Sequence, residues 1–462
     1  MAKTTHTDWS PRFPLRLPKT NWYSLFLLFF GLSLSAQPFP VDTIQWTGPA
    51  DQRIDMVFLS DGYQQEELEQ FRNDVDKVAT HFFKQTPFRE YRNYFNLLAI
   101  RVPSKQSGAK KDPADELDTY FGSSYNFAGI ERLLVPGNLI AALDILVEQV
   151  PLFDQAVLIV NDSKYGGSGG WLATTSVHPS APEIALHEIG HSFAGLADEY
   201  WAGEEFAAES PNMSKETDPD LVRWHNWLGD EGIGIYPHQE NQMWVRPHQN
   251  CKMRVLNPDF CAVCRETLVK RIHALSYPVI WFDPDNKEPV MVSDTQTYRV
   301  NFLEPIPNTL KVNWFVDQHT SPAYNSLLVE RSPNQDTMSI QMFVVDSTNY
   351  IRDLVHLQNH TFEIAWLQTS EELTKAQSWN KHIHANVSPN PVDEVVYISI
   401  ESSNSLSGKL ECDLSDIEGN LLLQFDLKSE RTALPVSHLV PGSYWIRIKD
   451  EFGHVTFRFI KM

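Results

Sequence analysis

The chain has 462 residues, 42% of them hydrophobic and 12% aromatic, which is ample for buried cores and suggests two to four domains. Its formal net charge of −21 speaks against nucleic acid and anionic membrane surfaces as partners, because an acidic surface is repelled by both. Acidity of this kind suits the solubility of an exported protein.

Arg12, Arg16 and Lys19 precede an apolar run over residues 22–34, followed by Ser35-Ala36. That run is too short for a bilayer span, which needs about 20 residues. A basic flank, a short apolar core and small residues predict a secretory signal over residues 1–36, cut after Ala36. No second long apolar run occurs, so no transmembrane segment is expected in the mature chain.

Residues 54–59 read as a buried strand, closed by the turn Ser60-Asp61-Gly62. Leu68, Phe71, Val75, Val78 and Phe82 then follow helical spacing, and residues 95–102 are strand-like again. This strand–helix–strand order predicts an α/β sheet layer. Asp61 reads as a polar turn residue rather than a functional one. Residues 105–118 read as a surface loop, 138–150 as a helix and 156–160 as a buried strand. The glycine-rich run 166–170 is a turn, and 171–177 is the next strand.

His187-Glu188-Ile189-Gly190-His191 is an H-E-x-x-H motif. Residues four apart share a helix face, so His187 and His191 can hold one metal ion together, with Glu188 beside it as general base toward a zinc-activated water. The bare motif is only suggestive; its surroundings strengthen it. Ser180-Ala181-Pro182-Glu183 reads as a capping box with proline in the first turn, and Gly195 as the helix stop. Beyond that turn, Asp198 offers an oxygen that completes a three-residue site with an open fourth position.

Read as HExxHxxxGLxDEY, residues 187–200 resemble the signature of the IgA-metallopeptidase family of secreted zincins. The resemblance extends to residues 54–63 (IDMVFLSDGY), 161–170 (NDSKYGGSGG) and 251–265 (CKMRVLNPDFCAVCR), and so covers about residues 43–275. It implies a metzincin-like α/β zinc peptidase domain with one catalytic Zn2+. The sequence departs from the broader metzincin pattern, because its glycine lies one residue later and Ala197 stands where that pattern has its last histidine. The third ligand is then expected at Asp198, with Glu199 as competitor. In that reading Glu199 points away from the zinc and orients a histidine from behind, and Met253 resembles the methionine of the turn beneath the zinc. The resemblance also makes 171–177 the candidate edge strand for pairing with an extended substrate; an ordinary hairpin strand is the equal alternative.

Residues 204–249 are irregular and rich in tryptophan, as substrate-binding loops often are; His225, His238 and His248 within them receive no role. Cys251, Cys261 and Cys264 have a spacing that suits a second zinc with a histidine. Export favours a disulfide of Cys251 with Cys261 or Cys264 instead. Residues 265–275 read as a closing helix. Cys412 stands alone and reads as a buried thiol.

From about residue 277 short β-rich runs dominate, at 298–302, 310–316, 339–345 and 362–367, as in an immunoglobulin-like β-sandwich. Residues 369–386 are polar and linker-like. From Ser388 to the end, strands such as 395–400 and the run LVPGSYWIRI resemble the C-terminal sorting domain of the Bacteroidetes type IX (Por) secretion system.

The domain reading is therefore a signal peptide at 1–36, a zinc metallopeptidase domain at 37–276, a β-sandwich at 277–370, a linker at 371–386 and a C-terminal sorting domain at 387–462. The expected function is a secreted zinc endopeptidase, with His187, His191 and Asp198 as ligands and Glu188 as base. Its partners would be a protein or peptide substrate and the secretion machinery. The alternative is a cell-surface binding protein or adhesin that keeps the zinc fold without turnover.

Overall fold

The computed structural model describes residues 39–292, 294–317, 319–332, 335, 337–369, 385–388, 392, 394–400, 410–416, 420–429, 431–440, 442–449 and 454–461. The expected signal segment and nearly all of the expected linker lie outside these residues.

The N-terminal half is built on β1 (Val41–Gln45), β2 (Ile54–Asp61), α1 (Leu68–Phe82), β3 (Phe95–Ile100), α2 (Leu139–Gln149), β4 (Gln155–Val160), β5 (Gly167–Ser168), β6 (Leu172–Thr175), α3 (Ala181–Ala194) and α4 (Ala262–Leu275). The strands form one sheet in the order β1-β3-β2-β4-β6-β5. The four inner strands run parallel, and β1 and β5 add antiparallel edges.

Every residue of β2, β3, β4 and β6 is buried, as a parallel sheet covered on both faces requires. The pleat divides their side chains between two cores. Ile54, Met56, Phe58, Phe95, Leu97, Val157 and Ile159 face α1, α3 and α4. Val57, Leu59, Leu98, Ile100, Ala156 and Leu158 face α2 and the loops near it. The apolar stripe of α1, Leu68, Phe71, Val75, Val78 and Phe82, is buried on the first face at about 1.5–3 kcal/mol per side chain.

Two strands differ from the expectation. β1 was not foreseen, and β6 lies inside the sheet between β4 and β5. The glycine run folds back as a short hairpin arm, and its β5 is bridged in turn to Leu133. The 171–177 segment is therefore not a free edge.

Asp61, at the end of β2, is fully buried. Its carboxylate accepts the backbone N–H of Phe121 and of Ser123, each at 3.0 Å, and the hydroxyls of Ser104 and Thr119. It fixes the long loop that leads to α2.

Beyond α4 the chain is multidomain and β-rich. Strands between Val279 and Thr369 make a five-stranded and a three-stranded sheet around Tyr298, Trp314, Ile340, Met342 and Trp366. Strands from Ala385 to Lys461 make a three- and a four-stranded sheet around another core, in which Cys412 is a buried, unpaired thiol. Among the described residues, no helix is long and apolar enough to cross a membrane.

Candidate active site

α3 carries the H-E-x-x-H motif. Pro182 sits in its first turn, and Gly195 ends it at φ 64°, a left-handed conformation in which glycine carries no Cβ penalty. The expected capping box does not form, since the Ser180 side chain caps nothing. Glu183 is drawn sideways instead, to Nε2 of His81 on α1 and Nζ of the fully buried Lys252. A buried ammonium needs a charge partner more than a helix end needs a cap.

His187 Nε2 lies 3.2 Å from His191 Nε2 and 3.0 Å from Asp198 Oδ1, and His191 Nε2 lies 3.3 Å from the same oxygen. The far side of each ring faces a backbone carbonyl: His187 Nδ1 meets Lys252 O at 3.0 Å, and His191 Nδ1 meets Leu196 O at 2.6 Å. Carbonyls only accept, so both Nδ1 atoms donate and both Nε2 lone pairs point inward with the Asp198 carboxylate. Three lone-pair groups aimed at one point repel each other and suit a cation between them. Tetrahedral ligands at zinc distances of about 2.0–2.1 Å are spaced by about 3.3–3.4 Å, close to the triangle seen. Where no cation binds, a proton on His191 Nε2 takes its place against the Asp198 carboxylate. Burial opposes the His191 imidazolium, but the bond and charge of Asp198 outweigh it and hold His191 up at about 9. Burial likewise pushes Asp198 up, and its bonds to His187 and His191 bring it well below the usual carboxylate range.

The segment bearing Asp198 is held on both sides. The buried Asn212 amide accepts from Ala197 N at 2.7 Å and donates to Ala197 O at 2.8 Å. Glu199 N donates to Met253 O at 2.7 Å. Met253 is itself fully buried against Gly190, between the two histidines of the helix; a Cβ on Gly190 would stand 2.7 Å from its sulfur.

Glu188 is half-buried, with a carboxylate oxygen within 4.8 Å of the His187 and His191 nitrogens. Burial raises its pKa, and the two histidines partly offset this. Tyr200 is stacked near the His187 ring at 17°, with centroids 6.4 Å apart. Burial, then the charge of Asp198, keep its phenol protonated. Arg132 Nη2 donates to Tyr200 Oη at 3.2 Å.

Glu199 touches neither histidine, because backbone carbonyls already take both Nδ1 positions. Its side chain turns instead to Asn212 and to Cys261 and Cys264. The expected disulfide is absent: Cys251, Cys261 and Cys264 are all free, and Cys251 Sγ lies 3.7 Å from Cys264 Sγ where a disulfide needs about 2.05 Å. The group facing the three sulfurs is Glu199, not a histidine.

Three neighbours of the site were not foreseen. Asn212 and Arg132 come from irregular stretches in which no periodicity marks one polar residue above another. Lys252 acts through its carbonyl, which leaves no trace in residue type.

Residues 43–243 match the family model described as IgA Peptidase M64, and residues 386–462 match that described as Secretion system C-terminal sorting domain. No curated protein matches the chain. Similar solved structures include dimeric latent PorU from Porphyromonas gingivalis, at 12% identity over 40% of this chain and 20% of that one, with a TM-score of 0.18. The fibronectin(III)-like modules of Clostridium thermocellum CbhA match at 9% identity over 40% of this chain and 93% of theirs, with a TM-score of 0.14. These likenesses are too weak to bear on fold or activity.

Proposed function

We propose, for a chain with an IgA Peptidase M64 region and a C-terminal secretion sorting domain, that it is a zinc-dependent endopeptidase acting on proteins or peptides outside the cell. The sorting domain marks the chain for export to the cell surface or the medium and for engagement with the secretion machinery. The family region supports a peptidase of a generally metal-dependent kind. The observation that carries the finer reading is the convergence of His187 Nε2, His191 Nε2 and Asp198 Oδ1 within 3.3 Å of one another, with a carboxylate beside them.

His187, His191 and Asp198 would hold the metal, leaving its fourth position open. Zinc there would supply Lewis acidity toward water and the scissile carbonyl. The chain's own part is proton movement and positioning. Glu188 accepts the proton of the attacking water at its carboxylate and returns it to the leaving amine. The Tyr200 hydroxyl, kept protonated and backed by Arg132, would donate a hydrogen bond to the negative charge that develops on the substrate oxygen.

The test is cleavage of a generic unfolded protein by the exported chain, with and without a chelator, beside Glu188→Gln. Chelation should abolish turnover and zinc should restore it, while Glu188→Gln keeps its metal and loses about 10³-fold in turnover. Full activity in Glu188→Gln would remove Glu188 from the mechanism. Binding without turnover by the zinc-loaded wild type would favour the adhesin.

A further inference from the structure

Behind the segment that carries Asp198 lies a second constellation the peptidase reading does not use. Cys251, Cys264 and Glu199 are each 0% exposed and Cys261 is 7% exposed, with ligand atoms from all four within 4.8 Å of one another. Cys251 Sγ and Cys264 Sγ stand 3.7 Å apart. Tetrahedral thiolates at zinc distances of about 2.3 Å are spaced by about 3.8 Å, so the pair matches a metal site and not a bond between sulfurs. Glu199 Oε1 lies 3.3 Å from Cys264 Sγ and 3.9 Å from Cys261 Sγ. Its Oε2 has no hydrogen-bond partner although the residue is wholly buried. A carboxylate placed so, among three sulfurs, is costly unless a cation meets it. The buried guanidinium of Arg246 lies within electrostatic reach of Glu199, and would offset the excess negative charge of three thiolates and a carboxylate around a divalent ion.

We propose that Cys251, Cys261, Cys264 and Glu199 bind a second, structural zinc ion. Four protein ligands leave no open position, which is the mark of a structural rather than a catalytic site. Binding converts the three thiols to thiolates and releases their protons to solvent. The ion joins three pieces: the turn at Cys251, the start of α4 at Cys261 and Cys264, and the irregular segment after α3 at Glu199. Two of these reach the catalytic centre. The turn supplies the Lys252 carbonyl that orients His187 and the Met253 carbonyl that holds Glu199 N, and Glu199 is the next residue to Asp198. The second zinc thus acts as the rivet that sets the position of the catalytic ligands.

The experiment uses the exported full chain, purified without chelator, together with His187→Ala/His191→Ala, which removes the catalytic ligands and leaves the cysteines alone. Metal analysis should give two zinc ions in the wild type and one in the double variant. Cobalt exchanged into the double variant should show a thiolate-to-cobalt charge-transfer band, which histidine and carboxylate ligands do not produce. Cys264→Ser in that background should lose the band. If this variant fails to fold, thiol titration of the denatured, chelated wild type still decides, since all four cysteines of the chain should react. A double variant with neither metal nor band, or a wild type in which only two thiols react because a disulfide has formed, overturns the proposal. A wild type with one zinc and a thiolate band would instead sink the catalytic reading and leave this one standing.

Discussion

Gly190 and Met253 are packed so closely that a methyl group does not fit between them: a Cβ on Gly190 would lie 2.7 Å from the Met253 sulfur and 3.3 Å from Phe260. Met253 has nowhere to go, being fully buried, with its carbonyl engaged by Glu199 N. Gly190→Ala would gain about 1 kcal/mol of helix propensity, yet overpacking costs about 1–3 kcal/mol. The contact lies between the two histidines, so the strain falls on ligand geometry. Gly190→Ala should therefore bind the catalytic metal more weakly and melt no higher than wild type. A variant that melts higher with unchanged metal affinity would show that the contact is slack.

Asp198 and Asn212 should separate ligand from brace. Asp198→Ala removes the third donor, so the catalytic metal should be lost outright. Asn212→Ala removes only the amide that holds Ala197 on both its backbone atoms and bonds Glu199 Oε1 at 3.1 Å. Its metal affinity or activity should fall by about 10–100-fold, as outer-shell changes do. Metal content by mass spectrometry and competition with a chelator measure both. Retention of stoichiometric catalytic metal in Asp198→Ala would take that residue out of the site.

The helices, among them the one that carries the H-E-x-x-H motif, and the inner strands were legible because each rests on local chemistry. Near-continuous apolar runs mark β2 and β4, the stripe from Leu68 to Phe82 marks α1, and Gly195 marks the end of α3. Contacts made through the backbone were not legible. Nothing in residue type tells that Lys252 supplies a carbonyl to His187, or that Glu183 leaves its helix end to neutralise Lys252. The cysteines misled for a related reason. Compartment pointed to a disulfide although the spacing suited a metal site, whereas burial against Glu199, which lies 52 or more positions away in sequence, is a tertiary fact. For 171–177 the sequence left a substrate-pairing edge and an ordinary hairpin open, because β5, only two residues long, is too short to announce itself; the hairpin is what forms.

Tyr200 and Arg132 should behave as one unit in turnover. Tyr200→Phe deletes the hydroxyl and leaves the ring beside His187, so kcat should fall by about 10²–10³ with KM nearly unchanged. Arg132→Ala should cost less, and almost nothing further in the Tyr200→Phe background, because it acts through the phenol at 3.2 Å. A double-mutant cycle on steady-state kinetics measures this. Additive losses would mean that Arg132 touches substrate independently.

The last prediction concerns acid and a buried histidine cluster away from the metal site. His273 on α4 bonds Asp346 Oδ2 at 3.2 Å and, through Nδ1, meets His356 Nε2 at 3.1 Å. The rings of His356 and His360 stack at 3.9 Å, and Tyr91 donates to Asp346 at 2.7 Å. Lys270, Asp353 and Arg447 are the other charges that act on this cluster. Burial first, then the neighbouring histidines, push His356 down strongly and His360 down to about 4. Unfolded histidine titrates near about 6.5. Above that pH neither state is protonated and these two groups cost nothing. Between about 6.5 and about 4 the unfolded chain takes up protons that folded His360 refuses, so stability falls as pH falls, by at most about 1.4 kcal/mol per pH unit for each group. Loss of the catalytic metal in acid would add to this, so the comparison must be made against His360→Gln, which keeps every metal ligand and cannot titrate at that position. Thermal melting from about pH 7.5 to about pH 5 should show a steeper decline in wild type than in His360→Gln. Parallel declines would mean that folded His360 is as easily protonated as unfolded histidine, and that the cluster is open to water.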